Sequence, residues 1–81
     1  MKPVVTFYTR KGCHLCDDAK RVVMEARGRA EFEFQEQDID TDSELQRLYN
    51  EEVPVIAING DKAFKYHVDL ETFLKRLAAR T

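Results

Sequence analysis

The 81-residue chain carries 13 Lys and Arg against 15 Asp and Glu, a net charge of −2, with 43% hydrophobic and 35% charged residues. This composition suits one small folded domain spanning residues 1–81 and excludes a disordered chain; the near balance of charge offers nothing that would draw nucleic acid or a membrane surface. No apolar run approaches a membrane span, and the opening MKPVVTFYTR has neither a secretory core nor a small-residue cleavage site, so the expected location is cytoplasmic, where thiols stay reduced.

PVVTFY (3–8) is β-branched and aromatic with almost no charge, and reads as a strand buried on both faces. TRKG (9–12) is the loop after it. Over 14–27 the apolar positions Leu15, Ala19, Val22, Val23 and Ala26 form one helical stripe, and Gly28 suits the left-handed position that ends a helix. EFEFQ (31–35) alternates as a second strand, with Phe32 and Phe34 on one face. Ile39 has the opposite parity, which predicts a bulge or the strand's end before DID (38–40). TDSELQRLYN (41–50) opens with a capping box, Thr41 with Glu44, ahead of a short helix whose apolar face is Leu45, Leu48 and Tyr49. PVIAI (54–58) is a third strand, Asn59-Gly60 a hairpin turn, and KAFKY (62–66) the returning strand. Asp69 is the expected N-cap of a last helix reaching Arg80. Its buried stripe is Leu70, Phe73, Leu74, Leu77 and Ala78, with Val68 and Phe73 at the positions of a hydrophobic staple. The order βαβαββα predicts an α/β fold: two parallel strands from the first βαβ unit, an antiparallel hairpin, and helices flanking a mixed four-stranded sheet.

Cys13 and Cys16 are the only cysteines, set as Cys-His-Leu-Cys where a buried strand turns into a helix. Cys13 falls at the N-cap, where free backbone N–H groups and the helix dipole favour negative charge on its sulfur. Arg10 and Lys11 add positive charge upstream, Asp17 and Asp18 oppose it, and the expected direction for the Cys13 thiol pKa is down. Cys16, one turn on and beside the apolar stripe, is expected to be less exposed and less acidic. That asymmetry suits a nucleophile and a resolving thiol. A structural disulfide would close too short a loop to stabilise much. A zinc site would need four ligands, and His14 and His67 are the only further imidazoles to join the cysteines. A Cys-x-x-Cys near a βαβ pattern reads as redox, with no metal.

With these residues in view, the chain resembles the glutaredoxins of the thioredoxin superfamily. YTRKGCHLC is similar to the glutaredoxin opening, DID to the end of the second strand, and EEVPV (51–55) to the Thr-Val-Pro element. It resembles most a small glutaredoxin-like family with a Cys-His-Leu-Cys-type site and a Leu-x-x-x-Tyr segment before the proline, here Leu45 and Tyr49. The resemblance implies the thioredoxin fold, a cis Pro54 beside the cysteines, and a Val53 backbone offered to an extended substrate segment. It also implies a dithiol thiol-disulfide oxidoreductase with Cys13 as nucleophile and Cys16 as resolving thiol. Two departures stand out. His14 and Leu15 replace Pro and Tyr between the cysteines, and KYHVD (65–69) replaces the Gly-Gly-x-Asp element that helps hold glutathione, with Asp69 left in the acidic position. The close backbone approach of paired glycines is lost, so glutathione is expected to be a poor co-substrate.

His14 is either a cation stabilising the thiolate or simply exposed at a helix start. Tyr8 either leans on the active-site loop toward substrate or packs. The expected partners are a disulfide-bearing protein or small thiol, and glutathione or a thioredoxin-type flavoprotein reductase as reductant; the chain is expected to act as a monomer with no resident cofactor. The alternative from another class is a binding module of the same fold that carries a metal or iron–sulfur cluster through the cysteines.

Overall fold

In a computed structural model describing residues 2–79, the elements follow the expected order. β1 (Val4–Thr9) leads to α1 (His14–Ala26), then β2 (Glu33–Asp38), a 3₁₀ turn (Ile39–Thr41) and α2 (Ser43–Tyr49). β3 (Val55–Ile58), β4 (Asp61–Lys65) and α3 (Leu70–Ala78) complete the chain. The sheet order is β2-β1-β3-β4, with β1 parallel to β2 and antiparallel to β3, and β3 antiparallel to β4. This is the thioredoxin fold.

Alternation along the strands assigns the layers. Val5, Phe7, Ile56 and Ile58 point to one face, where they meet Cys16, Ala19, Val23 and Ala26 of α1 and Phe73 and Leu77 of α3. Phe73 stands edge-on to Phe32 at 5.8 Å and lies 6.1 Å from Phe64, so its ring is the centre of this layer. Full burial of such a side chain contributes about 1.5–3 kcal/mol. The other face carries Tyr8, Thr6, Val55 and Ala57, and α2 covers it only partly, since no residue of α2 is buried. That explains a first correction. β1 is not buried on both faces: Val5 and Phe7 are buried while Val4, Thr6 and Tyr8 are half-buried, and the strand closed on both sides is β3.

Other differences are local. The buried stripe of α1 begins at Cys16; Leu15 is exposed, because the helix rotates its sulfur-bearing neighbour inward. Gly28 is not left-handed: α1 ends with Arg27 in the right-handed region, and the N–H groups of 27–30 bond back to carbonyls of the last turn. β2 starts later and runs on to Asp38 in continuous register, and the parity change at Ile39 marks the 3₁₀ turn. The register shift lies instead between Ile56 and Ala57 in the hairpin. Thr41 does not cap α2. Its hydroxyl donates to the Asp38 carbonyl at 2.7 Å, and Asp42 takes the cap, accepting from Glu44 N–H at 2.8 Å. Leu48 and Ala78 are exposed. The Asn59-Gly60 turn has φ of +53° and +87°, the paired positive values of a hairpin turn, and Asn59 Oδ1 accepts from Val4 N–H at 2.9 Å. Asp69 caps α3, which ends at Ala78 with Ala79 as its C-cap, short of the expected run to Arg80; Arg80 itself lies outside the described residues. Among the described residues, no helix is long and apolar enough to cross a membrane.

Candidate active site

The site lies where β1 ends beside the start of β3. β1 delivers Thr9, and three residues later Gly12, at φ +77°, turns the chain into Cys13. Cys13 is extended (φ −90°, ψ 107°) and caps α1, its Sγ accepting the Cys16 N–H at 3.1 Å. Cys13 and Cys16 form a disulfide with their Cα atoms 5.2 Å apart. Cys13 is half-buried; Cys16 is 3% exposed and packs in the core. The pair is therefore unequal: one sulfur at the rim on a helix N-terminus, the other closed in behind it.

β3 supplies the facing wall. Tyr8 pairs with Val55, so Pro54 comes next to the residue at the end of β1. The Val53–Pro54 bond is cis, and the Pro54 carbonyl accepts from Tyr66 N–H at 2.9 Å. Among the described residues, no hydrogen bond engages the Val53 backbone.

All three guanidinium nitrogens of Arg10 are engaged. Its Nε donates to Asp40 at 3.1 and 3.2 Å, Nη2 to Asp40 Oδ1 at 2.8 Å and Asn50 Oδ1 at 2.9 Å, and Nη1 to the Asn50 carbonyl at 2.8 Å. These bonds keep the Asp40 carboxyl below the usual carboxylate range. Lys11 is exposed and, with Thr9, Arg10, Glu36 and Asp38, lines an open groove of about 370 Å³ beside the loop. His14 is exposed at the first turn of α1. Tyr8 stacks on Tyr49 with centroids 4.7 Å apart; burial, then the neighbouring phenol, raises its pKa. Asp69 turns its carboxylate onto its own helix, accepting from Thr72 N–H at 3.0 Å, and this bond lowers its pKa. Among the described residues, no three His, Cys, Asp or Glu side chains gather as a metal site, so His67 does not join the cysteines as a ligand set.

Sequence reasoning missed Asp40, Asn50 and the Glu52–Lys62 ion pair that braces the segment before Val53. One signal was available. Parallel pairing of β1 with β2 puts Thr9 opposite Asp38, so the residues just past each strand must share an edge.

The chain matches the Glutaredoxin-like domain (DUF836) over residues 4–78. It belongs to that family. It is 32% identical over 85 residues to a protein of Dictyostelium discoideum named "Glutaredoxin-like protein YDR286C homolog", covering 89% of this chain and 79% of that one. Among solved structures it is similar to protein Ne2328 of Nitrosomonas europaea (TM-score 0.81, 30% identity, 95% of this chain and 93% of that one). It is similar too to target protein XcR50 of X. campestris (TM-score 0.77, 32% identity, 93% and 96%). A Halobacterium salinarum thioredoxin shares the fold at 16% identity, with a TM-score of 0.74 and coverage of 96% and 74%. A glutaredoxin-like thioredoxin fold with its cysteine pair at disulfide distance makes a redox role the natural one for this site.

Proposed function

We propose that this glutaredoxin-like protein is a cytoplasmic, monomeric thiol-disulfide oxidoreductase that works by a dithiol mechanism. The observation that carries the reading is the unequal pair: Cys13 at the rim with its sulfur accepting a helix N–H, Cys16 buried one turn behind. In the reduced protein the Cys13 thiolate attacks one sulfur of a substrate disulfide. A Cys13–substrate disulfide forms, the substrate's S–S bond breaks, and its other sulfur leaves as thiolate and takes a proton. The Cys16 thiolate then attacks Cys13 Sγ, closing the Cys13–Cys16 disulfide and releasing the second substrate thiol. Two electrons pass from the dithiol to the substrate. The free Val53 backbone pairs with an extended substrate segment beside the cis proline. A thiol or flavoprotein reductase restores the dithiol; KYHVD in place of paired glycines favours the reductase over glutathione.

Trapping tests the roles. Cys16→Ser should accumulate a stable mixed disulfide with a peptide disulfide, and Cys13→Ser should not. A Cys13→Ser variant that traps substrate while Cys16→Ser does not would reverse the assignment. Wild-type protein that purifies with bound metal or cluster and fails to cycle between dithiol and disulfide would replace it with the binding-module reading.

A further inference from the structure

The nucleophile and the segment that receives substrate come from distant parts of the chain. Cys13 follows β1; Val53 follows α2. The residue that spans them is Arg10. It lies three positions before Cys13, and its Nη1 and Nη2 hold the carbonyl and side chain of Asn50, three positions before Val53. Asp40, on the 3₁₀ turn, clamps the same guanidinium from the other side, and Gln46 Nε2 in turn donates to Asp40 Oδ1 at 3.2 Å. All three guanidinium nitrogens are engaged. The Tyr8–Tyr49 ring contact and the Glu52–Lys62 ion pair also brace the α2 side of this corner, but neither reaches the Cys13 loop, and α2 itself buries none of its residues.

We propose that Arg10 is a positioning residue for disulfide exchange: its planar fork locks the Cys13 loop to the Asn50–Val53 segment, fixing the gap across which nucleophile and substrate backbone must meet. The proposal rests on the dithiol reading above. Arg10 acts through geometry and not through its charge on Cys13. Its positive charge is already paired with Asp40, and the Cys13 sulfur is served by the Cys16 N–H. Lysine supplies the same charge as a single point and cannot hold a carboxylate, a carbonyl and an amide oxygen in one plane. The pair is partly exposed, with side-chain exposures of 31% and 43%, and such pairs add little to global stability. Its loss should therefore loosen the site without unfolding the domain.

The experiment compares wild type, Arg10→Lys and Asp40→Asn on three readouts: reduction of a peptide disulfide and of a small aliphatic disulfide, the Cys13 thiol pKa in a Cys16→Ser background, and amide hydrogen exchange of the oxidised protein. Arg10→Lys should lower kcat/KM for the peptide by about tenfold, well within what an ångström-scale misplacement costs. It should lower that for the small disulfide less, since the small substrate does not use Val53. The Cys13 pKa should stay put, and exchange should speed up together in the Cys13 loop and in residues 50–53. Arg10→Lys indistinguishable from wild type in both rates and exchange would overturn the proposal. So would a fall in the Cys13 pKa in Asp40→Asn with unimpaired peptide reduction, which would assign Arg10 to charge. If wild type reduces neither disulfide, the dithiol reading fails, and joint loosening in hydrogen exchange alone decides whether Arg10 is the lock.

Discussion

Two glycines of this chain should answer the same substitution with opposite signs. Gly12 lies at φ +77°, and a Cβ built there meets nothing within 4 Å. The cost of Gly12→Ala is thus purely conformational: about 1–2 kcal/mol for an L-residue forced into the left-handed region. Stiffening of the unfolded chain offsets about 0.4–1 kcal/mol of that. The net loss is about 1 kcal/mol, and a domain of this size should melt about 4–8 °C lower. Gly28 is outside the left-handed region, and its added Cβ would meet the Glu25 carbonyl at 3.5 Å, an ordinary contact. Only the unfolded-state effect remains, so Gly28→Ala should stabilise by about 0.4–1 kcal/mol. Thermal unfolding of both variants with the disulfide intact, followed by circular dichroism, measures the pair. Gly12→Asn is an internal control and should lose less than Gly12→Ala, because asparagine tolerates the left-handed region. Destabilisation by Gly28→Ala as large as that by Gly12→Ala would place Gly28 in the left-handed conformation that its position in the sequence suggests, and would refute the opposite signs.

Three further outcomes are expected. Ultraviolet titration of thiolate should show the thiol remaining in Cys16→Ser ionising at lower pH than the one remaining in Cys13→Ser; the reverse order would exchange their roles. In Cys16→Ser, glutathione should resolve a Cys13–glutathione mixed disulfide more slowly than in a glutaredoxin with the intact glycine pair, and Tyr66→Gly should recover part of the rate; a fast rate without that change would show that KYHVD accommodates glutathione. Asp69 has a lowered folded pKa, so its contribution is present above the ordinary carboxylate pKa and is lost as pH falls through the folded value. Asp69→Asn keeps an acceptor for the Thr72 N–H and should flatten that acid limb of a stability-against-pH curve; an unchanged limb would acquit Asp69.

What could be read from the sequence was mostly local. Period and turn chemistry placed every strand and helix in order, and Asn59-Gly60 needed no tertiary information, since its positive φ values are a property of the two residues. The Cys13 cap was legible for the same reason: strand, turn, then helix leaves that position one role. Choices among neighbours were not legible. Leu15 and Cys16 both extend the apolar stripe of α1, and only docking on the sheet decides which turns inward. Thr41 and Asp42 both suit a cap; Thr41 was lost to the preceding 3₁₀ turn, an element with no sequence period of its own. The partners of Arg10 were not legible either, because they lie 30 and 40 residues away in the chain.

The stretch KYHVD bears on the glutathione question in a way that residue types alone conceal. Counting back from Asp69, the missing glycines would fall at Tyr66 and His67. Tyr66 nevertheless holds φ +67°, a conformation an aromatic residue rarely adopts, and the His67 N–H bonds the Lys65 carbonyl at 2.8 Å to close a γ-turn around it. The Tyr66 N–H is in turn fixed on the Pro54 carbonyl, so the turn is tied to the proline loop of the site. The backbone thus keeps a path that glycine would take at no steric cost, while an exposed phenol now fills space glycine would leave open. A left-handed tyrosine persists only where its surroundings over-determine it, and here two backbone hydrogen bonds do so. On the reading proposed above, replacement of the glycine pair should act on glutathione through occupied space rather than through an altered turn, so removal of the Tyr66 side chain, and not a change in loop length, is the substitution expected to raise the glutathione rate.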